Sequence, residues 1–229
     1  MGFFYVIAMS IIKKLKDFKK SFVSSHGKNN HVFVIDPDGK CIEVRRLSNC
    51  HIKFKGDNNT VKIYKPFGDL NLDIEVCNNT NIVLKPSVLP RGIKIVGFDN
   101  NHNNIVIGKN FLTSATISIM LLRGCGDITI GDDSMMGWGS EIRLGDGHNI
   151  LDKTSGEIIN SNQNINIGNH VWIASDVLIL KGADIPDNSI VGVKSVVTKP
   201  FTTKNVVIAG IPAKVVKTNV DWTHKSQYQ

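Results

Sequence analysis

Asn164-Ile165-Asn166-Ile167-Gly168-Asn169-His170-Val171-Trp172-Ile173-Ala174-Ser175-Asp176-Val177-Leu178-Ile179 is the stretch whose spacing decides the fold. Its aliphatic positions 167, 173 and 179 continue through Ile185, Val191 and Val197, each six residues after the last. Two residues before each stands a small or aliphatic side chain: Ile165, Val171, Val177, Ala183, Ser189 and Ser195. Neither an amphipathic helix nor a simple alternating strand produces that period. A triangular coil does: three hexads close one turn of eighteen residues, and each aliphatic residue stacks on its counterpart in the next turn to fill a narrow interior. One aliphatic row can arise by chance. This one has companions in Gly168, Ala174 and Gly192, directly after row residues, and in the upstream positions Ile130, Met136 and Ile142.

Upstream, short alternating runs recur behind polar turns rich in Asn, as in Asn58-Asn59-Thr60-Val61-Lys62-Ile63 and Asn103-Asn104-Ile105-Val106-Ile107-Gly108. The last aliphatic residues of these runs fall at 63, 84, 107, 130 and 167, which reads as one strand per coil with one long insertion. The expected fold is therefore all-β, a left-handed parallel β-helix. Residues 1–25 are expected to hold an N-terminal amphipathic helix, 26–200 the β-helix with a loop insertion at about 149–163, and 201–229 a C-terminal extension.

The helix expectation rests on Ile7, Ile11, Leu15 and Phe18 at helical spacing, with Lys13, Lys14, Lys16, Lys19 and Lys20 in the second half. Such a helix caps an exposed end of the core or anchors on an anionic membrane. The apolar opening, Met1 to Ile12, is too short to span a bilayer and lacks a basic leader and a clean cleavage site. A length of 229 residues, 41% hydrophobic and only 7% aromatic, suits one elongated domain of many short strands. The net charge of +7 calls for an anionic partner or serves solubility alone. No aromatic residues interleave with the basic ones and no nucleic-acid-binding motif is present, which argues against nucleic acid. Cys41, Cys50, Cys77 and Cys125 have no CxxC pairing, so neither a zinc site nor a disulfide framework is indicated, and a reducing cytoplasm fits.

Three segments in order, Ile167-Gly168-Asn169-His170-Val171-Trp172-Ile173-Ala174-Ser175, Gly192-Val193-Lys194-Ser195-Val196-Val197-Thr198-Lys199 and Ala209-Gly210-Ile211-Pro212-Ala213-Lys214-Val215-Val216, resemble the signature of the hexapeptide-repeat acyltransferases. That family includes galactoside, maltose, xenobiotic and capsular-polysaccharide O-acetyltransferases. Residues 1–100 match it only in style. The resemblance implies an acetyl-CoA-dependent O-acetyltransferase, without metal, acting on a sugar hydroxyl of a capsular or cell-surface polysaccharide, polysialic acid among them. It implies that Ala174, Ser175, Gly192, Val193 and Thr198 line the pantetheine arm, that Lys199, Lys214 and Lys217 in the C-terminal tail face the phosphates of coenzyme A, and that the protein is a homotrimer working in the cytoplasm or at the inner face of the membrane. The eighteen-residue spacing of Ala174 from Gly192, and of Ser175 from Val193, independently places each pair on one corner of successive coils, with backbone amides exposed.

By the same resemblance the general base is a histidine at the mouth of the loop insertion, the place of His148 in Arg143-Leu144-Gly145-Asp146-Gly147-His148-Asn149-Ile150, and Trp172 follows at the spacing of polysialic acid O-acetyltransferases. A sugar hydroxyl attacks a thioester only as its proton is removed, and imidazole is the side chain matched to neutral pH. His170 is the rival, lying inside a regular hexad beside Trp172. Asp146 and Asp152 are second-rank candidates to orient the base or touch the acceptor. Competing readings are transfer to a xenobiotic or to an amino-sugar nitrogen on the same fold, a non-enzymatic solenoid scaffold, and a metal-dependent hexapeptide protein, for which His148 and His170 lack an obvious third ligand.

Overall fold

The structure, a computed structural model, describes residues 21–68, 70–87, 92–123 and 125–224. The expected helix at 7–20 lies outside these. Among the described residues every element is a strand, and the strands form three sheets. Face A runs through β1 (Phe22–Ser25), β4 (Cys50–Phe54), β6 (Leu72–Val76), β8 (Ile93–Gly97), β11 (Ile117–Leu122), β14 (Glu141–Arg143), β17 (Leu178–Leu180) and β20 (Val196–Val197). Face B runs through β2 (His31–Ile35), β5 (Thr60–Tyr64), β7 (Asn78–Leu84), β9 (Asn101–Ile107), β12 (Gly126–Ile130), β15 (Ile165–Ile167) and β18 (Asp184–Ile185), with β3 (Cys41–Glu43) antiparallel on its outer edge. Face C, present only in the later coils, holds β10 (Leu112–Thr113), β13 (Met135–Met136), β16 (Trp172–Ile173), β19 (Ile190–Val191), β21 (Val206–Gly210) and the antiparallel β22 (Ala213–Thr218). The early coils thus alternate between A and B, the later ones visit A, B and C in turn, and neighbouring coils pair in parallel.

The interior is a set of vertical rows. On face A the register stacks Ile52, Ile74, Ile95, Ile119, Ile142, Ile179 and Val197. On face B it stacks Val34, Ile63, Leu84, Ile107, Ile130, Ile167 and Ile185. All but Val34 are at most 2% exposed. The six-residue row read from 167 to 197 is therefore one residue from each face in each of two coils, and the upstream positions 63, 84, 107 and 130 belong to a single row of face B. β-branched side chains fill a pleated, fully buried position with little loss of rotamer freedom, which is why Ile dominates.

The early coils are longer than eighteen residues, and asparagine manages the excess. At the A–B corner Asn29, Asn58 and Asn79 adopt positive φ, which Asn tolerates better than most residues. Their exposed amides bond upward in series: Asn29 Nδ2 to Asn58 Oδ1 at 3.0 Å, Asn58 Nδ2 to Asn79 Oδ1 at 3.1 Å, Asn79 Nδ2 to Asn101 Oδ1 at 2.7 Å. Behind this ladder Asn59 is fully buried; it donates from Nδ2 to Asn30 Oδ1 at 2.9 Å and to the Cys77 carbonyl at 2.7 Å, and accepts from the Thr80 amide at 3.0 Å. These coils have no face C strand; Phe67 and Leu70, between β5 and β6, pack against their core.

The first coil begins earlier than the boundary at residue 26, because Phe22–Ser25 already pairs with Cys50–Phe54. At the other end the extension continues face C: Val207 and Ile208 pair with Ile190 and Val191, and a hairpin through the cis Ile211–Pro212 bond returns the chain antiparallel. Replacing Asn59 by Ala strands the Cys77 carbonyl and the Thr80 amide in the interior, so urea denaturation should show a loss of about 1–3 kcal/mol. Asn58→Ala, on the exposed ladder, should cost clearly less, and equal losses would show that the buried network has no special weight.

Candidate active site

The loop insertion leaves face A at the A–B corner. After the buried Leu144, the chain turns through Gly147, whose φ of 81° carries it away from the coil, and presents His148 to solvent. The insertion is a short hairpin, with Leu151 bridged to Ile158 and the Ile159 amide bonded to the Ile150 carbonyl at 2.9 Å. Its base is tied to the solenoid by Lys181, which projects from the next coil. Lys181 Nζ lies 2.7 Å from Asp146 Oδ2, 2.7 Å from the Asn160 carbonyl and 2.9 Å from that of Ser161. Asn160 completes the clasp: its Nδ2 donates to Asp146 Oδ2 at 2.7 Å and to the His148 carbonyl at 2.9 Å, and its Oδ1 accepts from the Ile150 amide at 2.7 Å.

A cavity of about 180 Å³ results, lined by His148, Asp146, Asn149, Asn160, Lys181 and Arg123 among others. The His148 ring has no hydrogen bond or ion pair among the described residues. Asp146 and Asp152, the candidates for orienting it, are committed elsewhere: Asp146 to Lys181 and Asn160, and Asp152 Oδ1 to the Thr154 and Ser155 amides, 2.8 Å each. The Lys181 ammonium, then the Asn160 amide, holds the Asp146 carboxyl below its ordinary value. Spacing alone missed Lys181, Asn160 and Arg123, because the side chains reach the cavity from three separate coils.

His170 has another occupation. Its ring stacks on Trp222 with centroids 4.3 Å apart and planes 8° from parallel, its Nε2 lies 3.1 Å from the Trp222 carbonyl and 3.2 Å from Asp221 Oδ1, and Trp222 Nε1 donates to the His170 carbonyl at 2.7 Å. Trp222, only 8% exposed, also lies 6.1 Å from Trp172. His170 is thereby a clamp for the C-terminal tail, and the tail in turn forms one wall beside Trp172 on the outer side of face C. Burial pushes the Cys50 thiol up to about 12, which removes it as a nucleophile. No group of three or more His, Cys, Asp or Glu side chains among the described residues converges as a metal site would require.

The expected cofactor residues divide between two corners. Ala174 stacks on Gly192 and Ser175 on Val193 at the C–A corner, as the eighteen-residue spacing implies. The column is longer than that spacing revealed: Gly137 lies below Ala174, where an added Cβ would come 2.7 Å from the Ser175 amide nitrogen, and Ala209 lies above Gly192. Small side chains here leave a shallow vertical channel, flanked by the exposed Val193 and by Trp138, which is 56% exposed one coil below Ser175. Counting 37 residues back from Ser175, the offset across the insertion, identifies Trp138. Thr198 and Lys199 instead follow face A to the A–B corner, the corner of His148. Lys214 and Lys217 are exposed on β22, opposite Ala209 and Val207. Within one chain His148 is thus not brought together with Trp172 or with the C–A channel; they occupy different sides of the prism.

No family model matches the chain. It is 49% identical over 100 residues to the polysialic acid O-acetyltransferase of Neisseria meningitidis, covering 44% of this chain and 46% of that one. The chain spans about half the length of the curated relatives it matches. Among solved structures, the polySia specific acetyltransferase NeuO superposes with a TM-score of 0.70 at 27% identity, covering 90% of this chain and 89% of that one. The polysialic acid O-acetyltransferase OatWY superposes with a TM-score of 0.54 at 30% identity over 90% of this chain and 95% of that one.

Because its folded value is depressed, Asp146 contributes to loop closure above the ordinary carboxylate range and loses that contribution as pH falls through the lowered value. Amide exchange of residues 145–163 should accordingly rise only in acid, and Lys181→Met should move the rise to higher pH. A pH profile unaltered by Lys181→Met would detach the loop from this ion pair.

Proposed function

This chain belongs to the hexapeptide-repeat acyltransferases, and we propose that it moves acetyl from acetyl-CoA to a sugar hydroxyl of an acidic capsular or cell-surface polysaccharide, of the polysialic acid type. The observation that carries the reading is the unencumbered imidazole of His148, held by the Lys181–Asp146–Asn160 clasp at the mouth of a polar cavity. The C–A channel fits the donor: it is narrow, lined by Gly137, Ala174, Gly192 and Ala209, and flanked by exposed backbone and apolar side chains along which a thin pantetheine arm can lie. Lys199, Lys214 and Lys217 supply positive charge for phosphates near the same end of the prism.

In the proposed reaction His148 removes the hydroxyl proton as the sugar oxygen bonds to the thioester carbonyl carbon. The negative charge then on the carbonyl oxygen needs a preorganised donor, and collapse of the adduct breaks the carbon–sulfur bond. The imidazolium returns its proton to the departing sulfur, so that His148 ends neutral and the products are acetylated sugar and free thiol. Trp172, on the outer side of face C, shields the reacting thioester or stacks on a sugar ring.

Since His148 and the channel lie on different sides of one left-handed prism, we place the complete site between subunits of a cyclic trimer, where one chain's His148 faces the channel of its neighbour. Closed threefold symmetry satisfies such a heterologous contact without leaving an open end. Ile150, Leu151, Ile158 and Ile159, each more than half exposed on the insertion, give the contact an apolar component.

His148→Ala should lower thiol release from acetyl-CoA in the presence of polysialic acid by about 10²-fold or more, with coenzyme A binding and trimer mass unchanged. His170→Ala should instead loosen the tail while keeping the same pH dependence. Retained turnover in His148→Ala would overturn the assigned base, and full activity at a light-scattering mass of one subunit would overturn the shared site. A panel including galactosides, amino sugars and small hydroxylated drugs fixes the acceptor.

A further inference from the structure

We propose that a slot at the far edge of face B, in the early coils, is a second binding site for an acidic polysaccharide, engaging the polymer away from the sugar that reacts. The inference rests on the acetyl-transfer reading for its place in the reaction and on its own geometry for the ligand. The slot encloses about 490 Å³ at the B–C corner, between the β2–β3 hairpin and the corner turns of the coils above it. Ile35, Tyr64 and Val83 form an apolar, half-buried wall. Lys65, Lys85 and Lys109 line it from three successive coils, with Tyr64 in register between Ile35 and Lys85.

Two of the three charges are not neutralised within the fold, although Asp36 also lines the slot. Lys65 is paired with Asp36 at 2.9 Å, but Lys85 and Lys109 have no carboxylate within 4 Å among the described residues. Coils rise about 4.8 Å each, so a chain laid along this corner meets a cation at roughly every coil. One coil further on the corner changes sign at Asp132 and Asp133, so the positive track has a defined end. A concave slot with an aromatic ring and aliphatic wall on one side and ammonium groups on the other suits a carboxylated sugar, which offers an apolar ring face and an anionic edge. A flat lipid surface cannot enter it. Nucleic acid would find a single aromatic ring in place of a stacking series.

Position gives the slot its role. His148 stands at the corner where the chain enters face B, and the slot lies where the chain leaves it, two to four coils away. Face B strands of five to seven residues span about 20 Å, so a molecule touching both sites must cover about 20–30 Å. A long polymer bridges them, and a sugar dimer does not. Held in the slot, a polymer presents its neighbouring units to His148 at a raised local concentration.

The test compares the full chain with a Lys85→Gln/Lys109→Gln variant, using long polysialic acid, a sialic acid dimer and a single-stranded oligodeoxynucleotide. Direct titration at low salt should show polymer affinity falling about tenfold in the variant, with the dimer unchanged. The KM for the polymer should rise to match, with kcat, the KM for acetyl-CoA and the thermal midpoint unaltered. Tyr64→Leu, which keeps the core filled, should weaken the polymer by a smaller factor. Unchanged polymer affinity in the double variant overturns the slot, as does an equal loss for the dimer. An equal loss for the oligodeoxynucleotide overturns its selectivity for sugar and leaves a general polyanion surface. If no acceptor releases thiol while the polymer affinity still falls, the acetyl-transfer reading fails and the slot stands.

Discussion

The structure depends on the narrowness of its interior. Three faces set at triangular angles leave room for only two or three inward side chains per face per coil, so each interior residue must match those directly above and below it. Ile142, for instance, meets Ile119 on one side and Ile179 on the other, although 37 residues of sequence separate it from the latter. This ladder fixes register, and register fixes everything on the outside. A slip of one residue would put the aliphatic rows in water and the charged outer positions in the core, so the early coils can lengthen and the insertion can grow only at corners. The candidate residues His148, Ala174, Ser175, Gly192, Val193 and Lys199 accordingly sit at corners or in the insertion, while Trp172, Lys214 and Lys217 lie on the outer side of strands.

Corners carry their own constraint, and one departure from it is informative. The residue that turns at the B–C corner has φ between 53° and 58° in five coils, and in four of them it is Asn or Asp: Asn110, Asp133, Asn188 and Asn205. His170 is the exception. Histidine, like Asn and Asp, accepts the left-handed conformation, and here the position brings its ring against Trp222, whose Nε1 donates to the His170 carbonyl. A choice that breaks the local rule of the repeat thus fastens the C-terminal tail over the side of the prism that carries Trp172.

Much of this was legible in the sequence because the solenoid writes its geometry into fixed offsets. The spacing of six located the interior row, and eighteen placed Ala174 against Gly192. What spacing could not reveal were contacts made across an offset the insertion had disguised. Trp138 and Gly137 belong to the Ser175 and Ala174 columns, but they lie 37 residues away, and an eye set to eighteen passes over them. Lys181 and Asn160 were hidden for a different reason: a clasp made by a long side chain and a loop amide follows from where the loop folds back, which no periodicity encodes. The lysine slot was obscured because Lys65, Lys85 and Lys109 are 20 and 24 residues apart, a spacing set by irregular coils and therefore not read as a column.

The contrast between regular and irregular coils also bears on how such a protein divides its tasks. Face C begins at β10, and its paired strands follow one another at intervals of 23, 37, 18 and 17 residues, with the channel of small residues at its C–A edge. On the proposed reading the thin donor lies along that channel, where the register, and not the sequence interval, keeps the small residues in line. The early coils have no face C, pack Phe67 and Leu70 against the core, and carry an amide ladder at the A–B corner. At the B–C corner the coils differ from one another in charge and shape, and the Lys85–Lys109 track with its abrupt end at Asp132 is one outcome. On the proposed reading the acceptor polymer meets the variable corners of the early coils, while the donor meets the column of small residues in the coils that carry face C.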